Sequence, residues 1–240
     1  MKINWNYIKT LLLLALIVFL FGFSNAKNEQ KKVKEIQVNF EEGELLFMDF
    51  QMVNKLLIQN NQTVKNKAKS VIDLHELESN ILSHPMVENA SVYLSVDGLL
   101  KASVKQRSPI ARVFTKSKSY YIDRQAKIMP LSHKHSARVI LVTGEVSEKH
   151  TPEIFELVSA IIEDDFLKKQ IIGIYRSKNK EYVLNTRVGE QKIILGDLED
   201  LTSKFKDLKA FYSKAMVDST LNKYTTINLK YNHQVVCTKK

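Results

Sequence analysis

The sequence predicts an α+β protein: an N-terminal transmembrane helix, then a β-α-α-β-β unit, then a mixed β domain with two helices. Three observations carry that prediction. Thr10 to Phe23 is an apolar run without a charge. Two helical stripes stand between period-2 strands over the next stretch of roughly 80 residues. Beyond residue 108, short strands alternate with two more helical stripes. The 240 residues are 44% hydrophobic and 26% charged, enough to bury a core and too apolar for low-complexity disorder. The lone Cys237 excludes an intramolecular disulfide framework and any cysteine-based zinc module. Seven glycines and four prolines exclude collagen-like and Gly-rich repeats. The formal charge of +10 favours an anionic partner or surface and says nothing about fold.

Trp5 to Ser24 is about 20 residues, or roughly 30 Å of helix, the thickness of the hydrocarbon layer. Trp5 and Tyr7 stand where an interfacial aromatic belt would, and Lys9 can snorkel. Two readings stand: a retained anchor behind a short cytoplasmic tail, or a signal peptide with Lys2 as its basic end and Ser24-Asn25-Ala26 as its cleavage site. Lys27, Lys31, Lys32 and Lys34 follow the span. Counted naively they would keep the long portion cytoplasmic, but a first apolar segment followed by a long domain often translocates it. The retained anchor with an exported domain is the expectation. The polar linker at 27–34 can also touch anionic lipid heads.

Val33 to Phe40 alternates, with Ile36, Val38 and Phe40 on one face. Leu46, Phe50, Val53 and Leu57 then mark a helix stripe, and Asn60 to Lys69 reads as a loop. Asp73 is an N-cap with Glu76 three residues on, opening a helix of Leu74, Leu77 and Ile81 that ends at His84-Pro85. Val87 to Leu94 and Leu100 to Val104 are strands. Asp97-Gly98 between them predicts a type I′ turn. Two helices on one face of a small sheet result.

Leu77, Glu78, Ile81, His84-Pro85-Met86-Val87 and Asn89-Ala90-Ser91-Val92 resemble the middle of a POTRA domain. With Gln106-Arg107-Ser108-Pro109-Ile110-Ala111 behind them, the pattern is similar to that of the bacterial cell-division family FtsQ (DivIB). Met86 stands where that family usually has tryptophan.

In the second domain, Tyr120-Tyr121-Ile122-Asp123 and Met129-Pro130-Leu131 resemble a turn of the same family, with Gln125-Ala126 in place of the common glycine. Val139 to Gly144 is a buried-strand candidate. Thr151-Pro152 supplies N-cap and N1 for a helix with Phe155, Val158, Ile162 and Phe166. Ile171–Tyr175, Tyr182–Asn185 and Lys192–Leu195 are strands. Gly196-Asp197 caps a helix striped by Leu201, Phe205, Leu208 and Tyr212. A last strand runs from Tyr224 to Val236, with Ile227, Leu229 and Tyr231 on one face and Asn228, Lys230 and Asn232 on the other.

Catalytic signatures are sparse. His133 and His135 lie in a polar run, Ser132 to Arg138, without a nearby acid or cysteine. Glu163-Asp164-Asp165 is consecutive, so its carboxylates do not converge. No Walker loop, GxSxG, HExxH or dinucleotide fingerprint occurs. Lys101 to Lys127 holds eight basic residues against Asp123, a pattern for anionic contact or for outward strand positions. The expectation is therefore no enzyme, no cofactor, no metal, no nucleic acid and no small-molecule substrate.

The resemblance implies residues 1–9 as cytoplasmic tail, 10–26 as anchor, 27–34 as linker, 33–107 as POTRA domain, 108–236 as β domain and 237–240 as tail. It implies a single-pass inner-membrane scaffold with periplasmic domains, enriched at the septum. Its partners would be FtsB (DivIC)-like and FtsL-like proteins of the septal peptidoglycan machinery. The matching contact stretch is Asn228, Leu229, Lys230 and Tyr231, with His233 close behind, beside which a partner adds its own strand. Independently, a C-terminal strand is often an open edge. The alternatives are a POTRA-bearing factor for outer-membrane protein assembly or secretion, and an exported enzyme with a dispersed site.

Overall fold

A computed structural model describes residues 5–29, 31–41, 47–59, 62–231 and 234–240. Lys2, Leu46, Asn60, Asn232 and His233 lie outside the described residues. The chain divides into two compact units, 1–106 and 107–240.

In the first unit, helix α1 (Trp5–Glu29) contains a stretch, Ile8–Asn28, long and apolar enough to cross a membrane. None of that stretch is buried, so an unusually apolar surface faces outward. Strand β1 (Glu35–Phe40), helix α2 (Phe50–Leu56), a small hairpin of β2 (Ile58–Gln59) and β3 (Gln62–Thr63), helix α3 (Leu74–Leu82), and strands β4 (Val87–Leu94) and β5 (Leu99–Gln106) follow. The sheet order is β1-β5-β4, with β1 parallel to β5 and β4 antiparallel to it. Bringing β1 alongside β5 in parallel needs a long connection, which the two helices supply. Val53, Leu77, Ile81, Leu100, Ala102 and Val104 form the buried interior. Asp73 caps α3 by accepting from the backbone N–H groups of His75 and Glu76 at 2.9 and 3.1 Å.

Two local expectations change here. The stretch read as a loop at 60–69 contains strand β3 (Gln62–Thr63), and its Val64 is fully buried. The β4–β5 turn is not type I′, because Gly98 alone has positive φ (86°) while Asp97 does not. Gly98 N–H donates to the Ser95 carbonyl (3.1 Å) and Ser95 N–H to the Leu99 carbonyl (2.9 Å). The tip is thus a four-residue turn closed by a left-handed glycine, the commonest longer hairpin solution.

The second unit carries β6 (Pro109–Phe114), β7 (Ser119–Asp123), β8 (Ile128–Met129), β9 (Ile140–Gly144), α4 (Thr151–Ile162), α5 (Asp165–Gln170), β10 (Ile171–Arg176), β11 (Tyr182–Thr186), β12 (Lys192–Gly196), α6 (Leu201–Val217), β13 (Tyr224–Asn228) and β14 (Val236–Lys239). One mixed sheet orders them β14-β13-β12-β11-β10-β9-β6-β7-β8. Three pairs are parallel: β9–β10 and β12–β13, whose connections contain helices, and β6–β9, whose long connection carries β7 and β8 instead. Ile154, Leu157, Val158 and Ile161 of α4 and Leu201, Phe205, Leu208 and Tyr212 of α6 share one core with Val142, Ile174, Leu184, Ile193 and Ile227.

Four readings of this unit are corrected. Among the described residues the unit has three α-helices where two were expected: Asp164 accepts from the N–H groups of Phe166 and Leu167 (both 3.0 Å), breaks the chain and opens α5, taking Phe166 out of the α4 stripe. Thr151 is already helical, and the capping box lies upstream between Ser147 and His150. Asp197 does not cap α6; Asp200, in left-handed conformation, precedes it, while Asp197 holds Lys204 at 2.6 Å. The last strand is two strands: β13 ends at Asn228 and β14 returns antiparallel to it, so residues 237–239 are strand rather than tail.

Candidate functional site

The C-terminal end of the large sheet is where the predicted contact residues fall. Leu229 N–H donates to the Ile194 carbonyl at 2.8 Å and continues the β13–β12 pairing by one residue, so its side chain is buried. The Asn228 carboxamide oxygen then accepts from Lys230 N–H at 3.0 Å. Such an Asx turn offers the backbone a local partner and diverts it from the ladder. Lys230 swings outward and pairs with Glu181 at 2.5 Å, a hydrogen bond and charge that raise its pKa. Gln234 N–H donates to the Tyr231 carbonyl at 3.2 Å as the chain reverses into β14.

Tyr231 is 55% exposed. It lines a shallow cleft with Asp200, Ser203, Lys204 and Asp207 of the α6 end, Leu229 and Gln234. A neighbouring depression is lined by Glu181, Asp197, Lys204 and Lys230. Asp197 is held below the usual carboxylate range by the hydrogen bond from Lys204. Two ion pairs, Lys204 with Asp197 and Lys230 with Glu181, thus stand beside one exposed ring.

The strand register decides which edge is open. Ile227 pairs with Cys237 and Asn228 with Val236, so β14 covers β13. The open edge therefore belongs to β14, not to the stretch 228–231. Val236 is exposed, and Cys237 is half-buried against the core, where burial pushes its thiol pKa up. Of the predicted contact residues, Tyr231 and Lys230 are outward, Leu229 is core, Asn228 is the turn-maker, and His233 lies outside the described residues.

Other singled-out groups scatter. His133 is exposed on the β8–β9 loop, and no three His, Cys, Asp or Glu side chains converge for a metal among the described residues. Asp164 is a cap that also binds Lys209 at 2.5 Å, which together lower its pKa. Three of the eight basic residues of that stretch meet acids outside it: Lys105 meets Glu88 (3.1 Å), Lys116 meets Glu145 (3.0 Å) and Lys118 meets Glu148. Arg112 instead lies over the rings of Phe114 and Tyr121.

One member of that stretch is structural. Arg107 reaches Asp123 at 2.6 Å, both nearly buried, and the other Asp123 oxygen accepts from Gln125 and Lys127 N–H at 2.8 Å each. This ion pair ties the Arg107–Ala111 motif to the Tyr120–Asp123 motif and fixes the turn between β7 and β8. Comparison with protein-family models matches residues 108–238 to the family described as FtsQ/DivIB, C-terminal related.

The chain belongs to the FtsQ/DivIB family.

The FtsQ/DivIB match covers more than half of the 240 residues and runs from β6 into β14. It assigns the chain to a family of cell-division proteins. A search of curated proteins returned no match. The match also takes in an element of the FtsQ/DivIB unit that sequence reasoning missed: the buried Arg176, which donates to the Tyr182 hydroxyl (3.2 Å) and the Glu145 carbonyl (3.0 Å). Tyr182 in turn donates to Glu153 at 2.8 Å. The available signal was an arginine at an inward position of an otherwise apolar strand, Ile171 to Arg176.

Proposed function

We propose that this protein is a non-catalytic division scaffold, anchored once in the inner membrane by α1, with its N-terminus cytoplasmic and both units periplasmic. The first unit is read as a POTRA domain on its β-α-α-β-β order and motif string. FtsB-like and FtsL-like partners are gathered by the C-terminal end of the large sheet, and through them septal peptidoglycan synthesis is regulated. The single observation that supports this best is the open edge of β14 at the end of the family-matched unit, with the exposed Tyr231 at its Val236 end. A short unpaired strand templates an incoming one, and a neighbouring tyrosine supplies the large amphipathic anchor typical of binding hot spots. In this reading the partner strand lies along β14 rather than directly along β13.

The test is capture of partner segments by the full-length protein in detergent. Tyr231→Ala should weaken binding of an FtsB-like segment by about 2 kcal/mol or more, while the melting temperature stays put because the ring is largely outside the core. Unfolding of that variant, or undiminished binding, removes Tyr231 from the interface. Recovery of outer-membrane polypeptides instead of division proteins would favour the assembly-factor alternative.

A further inference from the structure

The sequence places four lysines directly after the apolar helix, at 27, 31, 32 and 34. The fold adds three more from a remote loop. Lys69 N–H donates to the Lys31 carbonyl (2.8 Å), Val33 N–H to the Lys67 carbonyl (3.0 Å) and Asn66 N–H to the Val33 carbonyl (2.9 Å). Loop 64–71, with Lys65, Lys67 and Lys69, is thereby stitched to the first residues after α1. The β4–β5 hairpin tip is stitched to the same residues, Lys34 N–H donating to the Gly98 carbonyl at 2.8 Å and Lys31 Nζ to the Val96 carbonyl at 3.2 Å.

These two loops each present a bare aliphatic side chain. Val71 is 60% exposed and Val96 70%. Seven lysines thus gather around the foot of the helix, against Glu29, Glu35, Asp73 and Asp97 in the same segments. Cations framing isolated apolar side chains, continuous with a bilayer-length helix, match the chemistry of a membrane interface: charge for phosphate, small aliphatics for the acyl boundary.

We propose that this lysine collar seats the first unit on anionic phospholipid headgroups, with Val71 and Val96 at the headgroup–acyl boundary. The proposal rests on the reading of α1 as a retained membrane span. Its occupant is the bilayer that α1 itself enters, so binding is intramolecular and each lysine acts at high effective concentration. Buried Val33 and Val64 hold the two halves of the collar together, so the surface is built in advance of any contact.

The test uses the full-length protein carrying Cys237→Ser and Val71→Cys, labelled with an environment-sensitive fluorophore and reconstituted into vesicles. One set is phosphatidylcholine alone; the other contains about one third phosphatidylglycerol, an anionic fraction sufficient to attract juxtamembrane lysines. Quenching by headgroup-spin-labelled lipid should be at least about twofold stronger in the anionic set, and the difference should vanish near 1 M salt, where the screening length falls to about 3 Å. Adding Lys65→Glu and Lys69→Glu should return the signal to the phosphatidylcholine level. Equal quenching in both lipids, or no response to the charge reversal, overturns the collar. Extraction of the protein from either vesicle by alkaline carbonate overturns the anchor reading as well, which flotation reports separately from fluorescence.

Discussion

Two arginines, Arg176 buried and Arg107 nearly so, organise the large unit, and each shows how a charge survives largely out of water. Arg107 meets a carboxylate already bound by two backbone N–H groups. Arg176 meets a phenol, a carbonyl and, at 3.5 Å, Glu153. Beside Arg176 the backbone comes so close that only glycine serves at 144. Its φ is 99°, and a Cβ there would lie 2.1 Å from the Arg176 carbonyl oxygen. Burial first, and donation to Glu153 second, push the Tyr182 pKa up to about 12. The unfolded phenol titrates near 10. Below pH 10 both states hold the proton and the contribution is fully present. Between about 10 and 12 the unfolded chain releases its proton while the folded one keeps it, so stability falls as pH rises. Tyr182→Phe should flatten that alkaline slope in urea midpoints measured from pH 9 to 12, at a cost of roughly 1 kcal/mol at neutral pH for the lost hydrogen bond. An unchanged slope would remove Tyr182 from this linkage.

At the scale of elements, the ends of helices and strands are set by single polar side chains. Asp73 and Asp164 open α3 and α5, and Asn228 ends β13. Glu78 on α3 also accepts from Val92 N–H at 3.1 Å, so one donor on the outer side of edge strand β4 is already taken. That leaves β4 a poorer template than β14. The β4–β5 tip depends on Gly98 for two reasons: its φ of 86°, and the Lys32 carbonyl oxygen 2.7 Å from where a Cβ would stand. A β-branched residue there meets both the left-handed penalty and the contact. Gly98→Val should therefore lower the unfolding free energy by about 2 kcal/mol or more, read as a downward shift in thermal midpoint. Unaltered thermal stability would refute the turn geometry.

For the whole molecule, the exposed apolar surface of α1 is the feature that a soluble chain could least sustain. Residence in a bilayer resolves it, and retention of the helix follows from the scaffold reading, since partners confined to one plane meet more often. Intact-mass measurement of protein from purified membranes should accordingly give a chain that includes residues 1–26. A mature chain beginning at Lys27 would turn the anchor into a signal peptide. The net charge of +10 is also arranged by folding: Lys105, Lys116 and Lys118 of the 101–127 stretch enter ion pairs, while loop 64–71 brings its lysines beside those that follow α1.

The alternation of Ile36, Val38 and Phe40, the stripe of Leu201, Phe205, Leu208 and Tyr212, and the cap at Asp73 were legible because each is a local period or a local hydrogen bond. The α+β class followed from such local patterns, the apolar helix from the uncharged run Thr10–Phe23, and the family resemblance from the order of motifs. Other features were not local. Asp200, not Asp197, precedes α6, while Asp197 pairs with Lys204, seven residues on. The partners of the basic stretch come from Glu88, Glu145 and Glu148. The candidate site depended most on distance: a period-2 pattern from Tyr224 to Val236 reads as one strand, and only the Asn228 turn and the pairing of Ile227 with Cys237 make it two. Alternation along a chain reports which side of a sheet a residue faces. It carries no information about which strand lies alongside, because that neighbour is chosen by tertiary hydrogen bonding, and so the open edge was for the fold to decide.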